Sequence, residues 1–184
     1  MPEEAPKGMP PMPEVSVPAF EAHGGKYGHH FVRGPKPGSF DQTCVVQMDE
    51  EVVPGSLFFL YTFQEPGYGM KGSHGPHQHD TWEILGFFST DPKDRYNLDA
   101  EIVLYMGEEM EPHAITQSTL VYIPPNRVHC PLVYERLDRP IVFLYSMNSS
   151  LVQETARPDL AELVPEKHRA NLFYPHQEDF KPPQ

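Results

Sequence analysis

Positive charge is scarce in this chain. Lysine and arginine total 14 against 26 aspartates and glutamates, giving a formal net charge of −12 over 184 residues. Nucleic acids and anionic membrane surfaces are gripped through basic footprints, so this balance excludes both as partners. Cysteine is nearly missing too. Cys44 and Cys130 are the only two, too few for a disulfide framework, and the chain reads as reduced and cytoplasmic. No stretch approaches the roughly 18 consecutive apolar residues of a spanning helix. The acidic start, Met1-Pro2-Glu3-Glu4, lacks the apolar segment of a secretory signal. The Asn148-Ser149-Ser150 sequon is therefore incidental, because a glycan requires secretion.

Proline and glycine, by contrast, are abundant: 22 and 13 residues, without a collagen period. Such a chain makes few long helices and many turns, which favours an all-β sandwich or barrel. Its length fits one domain with arms. We expect a proline- and glycine-rich N-terminal arm over residues 1–40, a β-barrel over 41–150 and a C-terminal extension over 151–184. Residues 1–18 hold six prolines and read either as a disordered tail or as an arm laid over the barrel or over a partner subunit.

Short β-prone runs begin after Asp41. The sequence predicts strands at 43–48, 56–63, about 77–89, 101–106, 119–123, 128–134 and 141–147, separated by glycine, proline and polar turns. The run Ser56 to Phe63 is apolar on both faces and so belongs inside a sheet. Residues 158–172 read as one or two short helical pieces.

The most informative local string is Gly75-Pro76-His77-Gln78-His79-Asp80-Thr81-Trp82-Glu83. Positions 77, 79 and 83 differ by even numbers, so an extended strand turns all three side chains to one face, whereas a helix would spread them. Two imidazoles and a carboxylate, joined by His129 from a later strand, make a candidate transition-metal site. The same parity places Thr81 on the metal face and turns Asp80 and Trp82 away; Cys130, next to a ligand, should point into core packing. His74 is a candidate acid/base group or outer ligand. His113 ranks with it, and His29-His30 matter only if the N-terminal region folds over the barrel mouth. Tyr61, Tyr105 and Tyr122 could offer hydroxyls to the cavity, and Arg95 or Arg127 could bind a substrate carboxylate. The bland alternative is a barrel without metal that keeps these side chains in a polar cavity.

These residues resemble the cupin superfamily, whose first motif is a glycine-led turn, His-x-His and then Glu, and whose second places a proline turn before a final His. Here the first is Gly72 leading to His77-Gln78-His79 and Glu83, and the second is Pro124-Pro125-Asn126 followed by His129. The resemblance covers roughly 41–147. It departs at turn and peripheral positions: Thr90, Ser118 and Val133 stand where the motifs have glycine, glycine and asparagine, and the gap from Gly72 to His77 is one residue short. Asn126 replaces another glycine, and asparagine is the non-glycine residue best suited to a left-handed turn. The resemblance implies a single jelly-roll-type barrel binding one divalent metal through His77, His79, Glu83 and His129.

Three neutral imidazoles and one carboxylate suit Fe, Mn, Ni, Co or Zn rather than Ca or Mg. Four protein ligands leave an octahedral ion two positions for water, substrate or dioxygen. The function expected is that of a small-molecule metalloenzyme, either a dioxygenase or a non-redox isomerase, decarboxylase or lyase. The alternative is a non-catalytic binding or sensing cupin with the metal as anchor. A homodimer is expected, because exposed strand edges need covering.

Overall fold

The computed structural model describes residues 25–34, 43–67, 73–150 and 152–174; residues 1–18 and Gly72 lie outside these, so the expectations placed on them do too. Twelve strands follow in order: β1 (Cys44–Met48), β2 (Phe58–Gln64), β3 (Ser73–His74), β4 (His77–Gln78), β5 (Glu83–Ser89), β6 (Asn97–Met106), β7 (Glu111–Gln117), β8 (Thr119–Ile123), β9 (His129–Leu137), β10 (Ile141–Met147), β11 (Thr155–Ala156) and β12 (Leu172–Phe173). One sheet runs β1-β2-β10-β5-β8 and the other β11-β4-β9-β6-β7. Every pairing within these two sheets is antiparallel. The result is an all-β double-sheet barrel of the jelly-roll type, with the core between the inner faces. No helix among the described residues is long and apolar enough to cross a membrane.

Period-2 alternation sets which side chains meet inside. β2 alternates strictly, burying Phe58, Leu60, Thr62 and Gln64. It has neighbours on both sides, as its apolar run predicts. Phe87, Leu98, Ile102, Leu104 and Ile141 are almost fully buried between the sheets. At about 1.5–3 kcal/mol for each large apolar side chain buried, this layer is the main stabilising element.

The two outer faces differ. On the second sheet, Val103 and Tyr105 are covered by Leu160 and Val164 of the C-terminal segment. His168 fastens that cover, lying 2.7 Å from the Tyr105 hydroxyl through Nδ1 and 2.6 Å from Glu135 through Nε2. This segment contains the helical pieces expected at 158–172, a 3-10 turn at Pro158–Leu163 and a helical turn at Glu166–Arg169. On the first sheet the register aligns Tyr61, Leu144, Gly86 and Leu120 in one row. Phe63, Val142 and Phe88 form the next, so this outer face is apolar as well.

Two sequence expectations need correction. The strand drawn through 77–89 is two strands, because the chain leaves the second sheet after β4 and enters the first at β5. Asp80 and Thr81 form the bend between them. The strand β7 was not expected at all. Ile115 is its only buried residue, so this edge strand carries no alternating apolar signal to read.

Candidate metal centre

The switch between sheets is what brings the candidate ligands together. His77, on β4, is paired directly opposite His129 on β9 in the second sheet, with ring centroids 4.4 Å apart. Glu83 opens β5 in the first sheet, between Met147 and Ile123. His79 sits on the crossing segment, and its carbonyl accepts the Asn126 amide at 2.6 Å. Asn126 takes up φ 60°, the left-handed turn for which asparagine substitutes for glycine, and this turn delivers His129. The ligand atoms of His77, His79 and His129 lie within 4.8 Å of one another. Oε2 of Glu83 is 2.8 Å from His129 Nε2 and 3.4 Å from His79 Nε2. All four residues are buried.

Whether these residues fit a divalent ion turns on their lone pairs. Nδ1 of His77 lies 2.8 Å from the Gly75 carbonyl, Nδ1 of His79 2.6 Å from that of Gln153, and Nδ1 of His129 3.0 Å from that of Arg127. A carbonyl oxygen only accepts, so each Nδ1 must carry the proton. In the neutral ring that leaves Nε2 as a bare lone pair, and these are the atoms that converge. Among the described residues, Nε2 of His79, Nε2 of His129 and Oε2 of Glu83 make no hydrogen bond. Buried acceptors facing each other are costly unless something electropositive lies between them. A backbone carbonyl behind each imidazole is also the usual way of orienting a metal-ligating ring. The donor set fits.

Electrostatics follow from this crowding. Burial, helped by the neighbouring His129, pulls His77 from an ordinary 6.5 down to about 3. Burial also opposes the charged form of His79, but the Glu83 carboxylate outweighs it and the net shift is upward. Burial would raise Glu83, yet His129 and His79 hold its carboxyl well below the usual range. Cys130 and Tyr145 are pushed well up, first by burial and then by Glu83 and Glu154, so both are neutral.

Other candidates fall differently. His74 lies beside the site: its ring is 5.7 Å from that of His77, packed edge-on to Phe173 at 4.6 Å. β12 holds it there by pairing with β3. Gly75 is obligatory in this arrangement, since a Cβ would meet the Tyr174 ring at 2.1 Å. Thr81 does not join the metal face; at the bend its hydroxyl donates to the Asn148 carbonyl at 3.2 Å. Cys130 is in the core as expected. Its φ of 69° and the register shift opposite Leu104 and Met106 interrupt the regular alternation of β9 there. Tyr122 is exposed and Tyr105 bonds His168, so neither offers a hydroxyl to the centre. Arg95 and Arg127 are exposed, as are His29 and His30 on their single 3-10 turn. His113 is exposed on β7, 3.7 Å from Glu111.

The residue that sequence reasoning missed is Glu154. Its side chain is 3% exposed, with Oε2 3.8 Å from His77 Nε2 and 3.7 Å from His74 Nδ1. β11, pairing with β4, brings it in. Glu154 sits in the polar run Gln153-Glu154-Thr155, just ahead of a strand of only two residues, and gives no sequence signal.

No protein-family model and no curated protein matches this sequence. Among solved structures it resembles an uncharacterized protein with a double-stranded β-helix domain from Klebsiella pneumoniae, at 10% identity over 66% of this chain and 82% of that one, with a TM-score of 0.42. An oxalate oxidase matches at 14% identity and TM-score 0.41, over 68% of this chain and 60% of its own. The DMSP lyase DddQ of Ruegeria pomeroyi matches at 20% identity and TM-score 0.38, over 71% of this chain and 62% of its own. At these identities and scores, nothing about activity passes from them to this chain.

Proposed function

We propose that this protein is a cupin-type metalloenzyme acting on a small organic molecule, with one divalent first-row ion held by His77, His79, Glu83 and His129. The observation that carries this reading is the set of three Nδ1 protons tied to the carbonyls of Gly75, Gln153 and Arg127, which fixes three Nε2 lone pairs toward one point. A bound ion would supply Lewis-acid polarisation of a substrate oxygen or, with dioxygen, redox chemistry. The protein's own residues set the surroundings. Cys130 and Tyr145 stand in the field of Glu83 and Glu154 as neutral groups, and burial strengthens every charge interaction there. His74, with its side chain 34% exposed, is the group placed to move a proton between solvent and substrate. A groove of about 420 Å³, lined by Gln78, Asp80, Val152, Gln153, Glu154 and Thr155, reaches Glu154 from outside. The expected homodimer belongs on the apolar outer face of the first sheet, where Leu120 and Tyr122 are 64% and 61% exposed.

Metal analysis of protein purified without added metal tests the reading. One first-row ion per chain is expected, and its absence sinks the proposal. Oxygen uptake by the Fe(II) form against phenols, thiols, diketones and hydroxy acids then separates oxygenase from non-redox chemistry. A ligand that binds without turnover in either assay indicates the sensing alternative. Sedimentation of Leu120→Glu against wild type tests the dimer face.

A further inference from the structure

Two groups of ligand-type atoms meet in this barrel. One is His77, His79 and His129; the other is His74, His77 and Glu154, and within each group the atoms lie within 4.8 Å of one another. Both use His77, and its Nδ1 is committed to the Gly75 carbonyl, so a single Nε2 lone pair is all it has to offer. One lone pair serves one ion. An ion on His77 therefore has Glu154 within reach on one side and His79 and His129 on the other.

Donor atoms about 2.1 Å from a common ion lie between about 3.0 and 4.2 Å apart, depending on the angle between them. The 3.8 Å between Glu154 Oε2 and His77 Nε2 falls in that range, as does the 3.4 Å between His79 and Glu83, while the 2.8 Å between His129 and Glu83 lies just under it. Glu154 is the more buried partner of its pair, 3% exposed against 34% for His74, and its charge is felt by His77, Cys130 and Tyr145, as a carboxylate inside the site requires. The backbone around it is fixed twice: the Gln153 carbonyl holds His79 Nδ1, and Thr155 and Ala156 pair with Gln78 and His77.

We infer that Glu154 is a fifth protein ligand, supplied by the segment that follows the barrel, and that it closes one of the two positions the three histidines and Glu83 leave open. The inference rests on the metal reading above and deepens it. One position then remains for an exogenous ligand, so the substrate binds through a single oxygen unless it displaces Glu154. His74, 3.7 Å from the Glu154 carboxylate and braced by Phe173, is the residue that positions it.

The test uses the full chain loaded with Co(II), whose visible absorption reports the ligands directly. Wild type, Glu154→Ala and the near-isosteric Glu154→Gln are compared, with thermal melts of the metal-free forms to confirm folding. The expected result is one Co(II) per chain in all three, an affinity weakened about tenfold or more in the variants, and an altered absorption envelope. Acetate should return the Glu154→Ala spectrum toward wild type by filling the vacated position and should leave wild type unchanged. Variant spectra that overlay wild type, with no response to acetate, overturn the inference and leave the four-ligand site standing. A wild type that binds no Co(II) overturns both.

Discussion

Two buried polar clusters share this barrel, and they are satisfied in different ways. Near β1 and β2, Gln64 Nε2 donates to Thr43 Oγ1 at 3.0 Å and to Thr62 Oγ1 at 2.9 Å, and Thr62 passes its own proton to the Phe143 carbonyl at 3.2 Å. Gln47 donates to Asp49 at 2.8 Å. Both amide protons of Gln64 and the hydroxyl proton of Thr62 have acceptors there. The second cluster has its protons on the outside: three Nδ1 groups point back to carbonyls, while Nε2 and carboxylate lone pairs face inward toward each other. The first cluster is a closed hydrogen-bond network that stabilises the fold. In the second, with the three rings neutral, the side-chain atoms turned inward are all acceptors, an arrangement complementary to a cation. Burial and polarity are common to both, and the direction of the protons separates a structural cluster from a functional one.

Substituting members of each cluster should split their effects. The largest difference is in metal content: His77→Ala or His129→Ala should lose the stoichiometric ion, while Thr62→Val should keep it, as read by metal analysis after gel filtration. Wild type should also gain about 2.7 kcal/mol of stability at a metal concentration a hundredfold above Kd, a gain absent from His129→Ala in thermal melts. Retention of metal by both histidine variants would dissolve the contrast.

The pH response comes next. Unfolded, His77 takes a proton near its ordinary 6.5; folded, it does so only near 3. Between those values the unfolded chain binds more protons. The stability of the metal-free protein therefore falls as pH drops through this window, by up to about 1.4 kcal/mol per unit from this residue. His79 is shifted upward, so its contribution is present below 6.5 and lost as pH rises through its folded value. Glu83, held low, adds stability above 4.5 that disappears as pH falls through its lowered value. Urea titrations between pH 6.5 and 4.5 thus isolate His77, and His77→Gln should flatten the decline. Thr62→Val should leave the slope alone, since Thr43, Thr62 and Gln64 carry no titrating side chain in this range.

Smaller effects test the closed network. Gln64→Leu removes the donor shared by two buried hydroxyls and should cost about 1–3 kcal/mol in urea unfolding, with metal content unchanged. Thr62→Val should cost about 1 kcal/mol. A change of metal affinity in either variant would show that the two clusters are coupled.

Much of this site was legible in the chain. The His77, His79 and Glu83 spacing marked the ligands, and Asn126 marked the left-handed turn that leads to His129. The reasoning from a single strand was incomplete, however. His77 faces inward from one sheet and Glu83 from the other, and even spacing survives the crossing only because the bend at Asp80 and Thr81 restores the phase. Cys130, at φ 69°, marks a second place where the regular alternation assumed from sequence is interrupted.

What the sequence determined by itself was local: the alternation of β2, the turns punctuated by proline and glycine, and a ligand string whose residues lie six positions apart at most. Tertiary structure alone decided the rest, namely the tautomers and Glu154. A carbonyl behind an imidazole is set by backbone pairing across the barrel, as with His79 and Gln153, 74 residues apart. Glu154 enters because β11 adds to β4 through hydrogen bonds of the main chain. Main-chain groups are the same at every residue but proline, so such pairings leave no mark in the order of side chains.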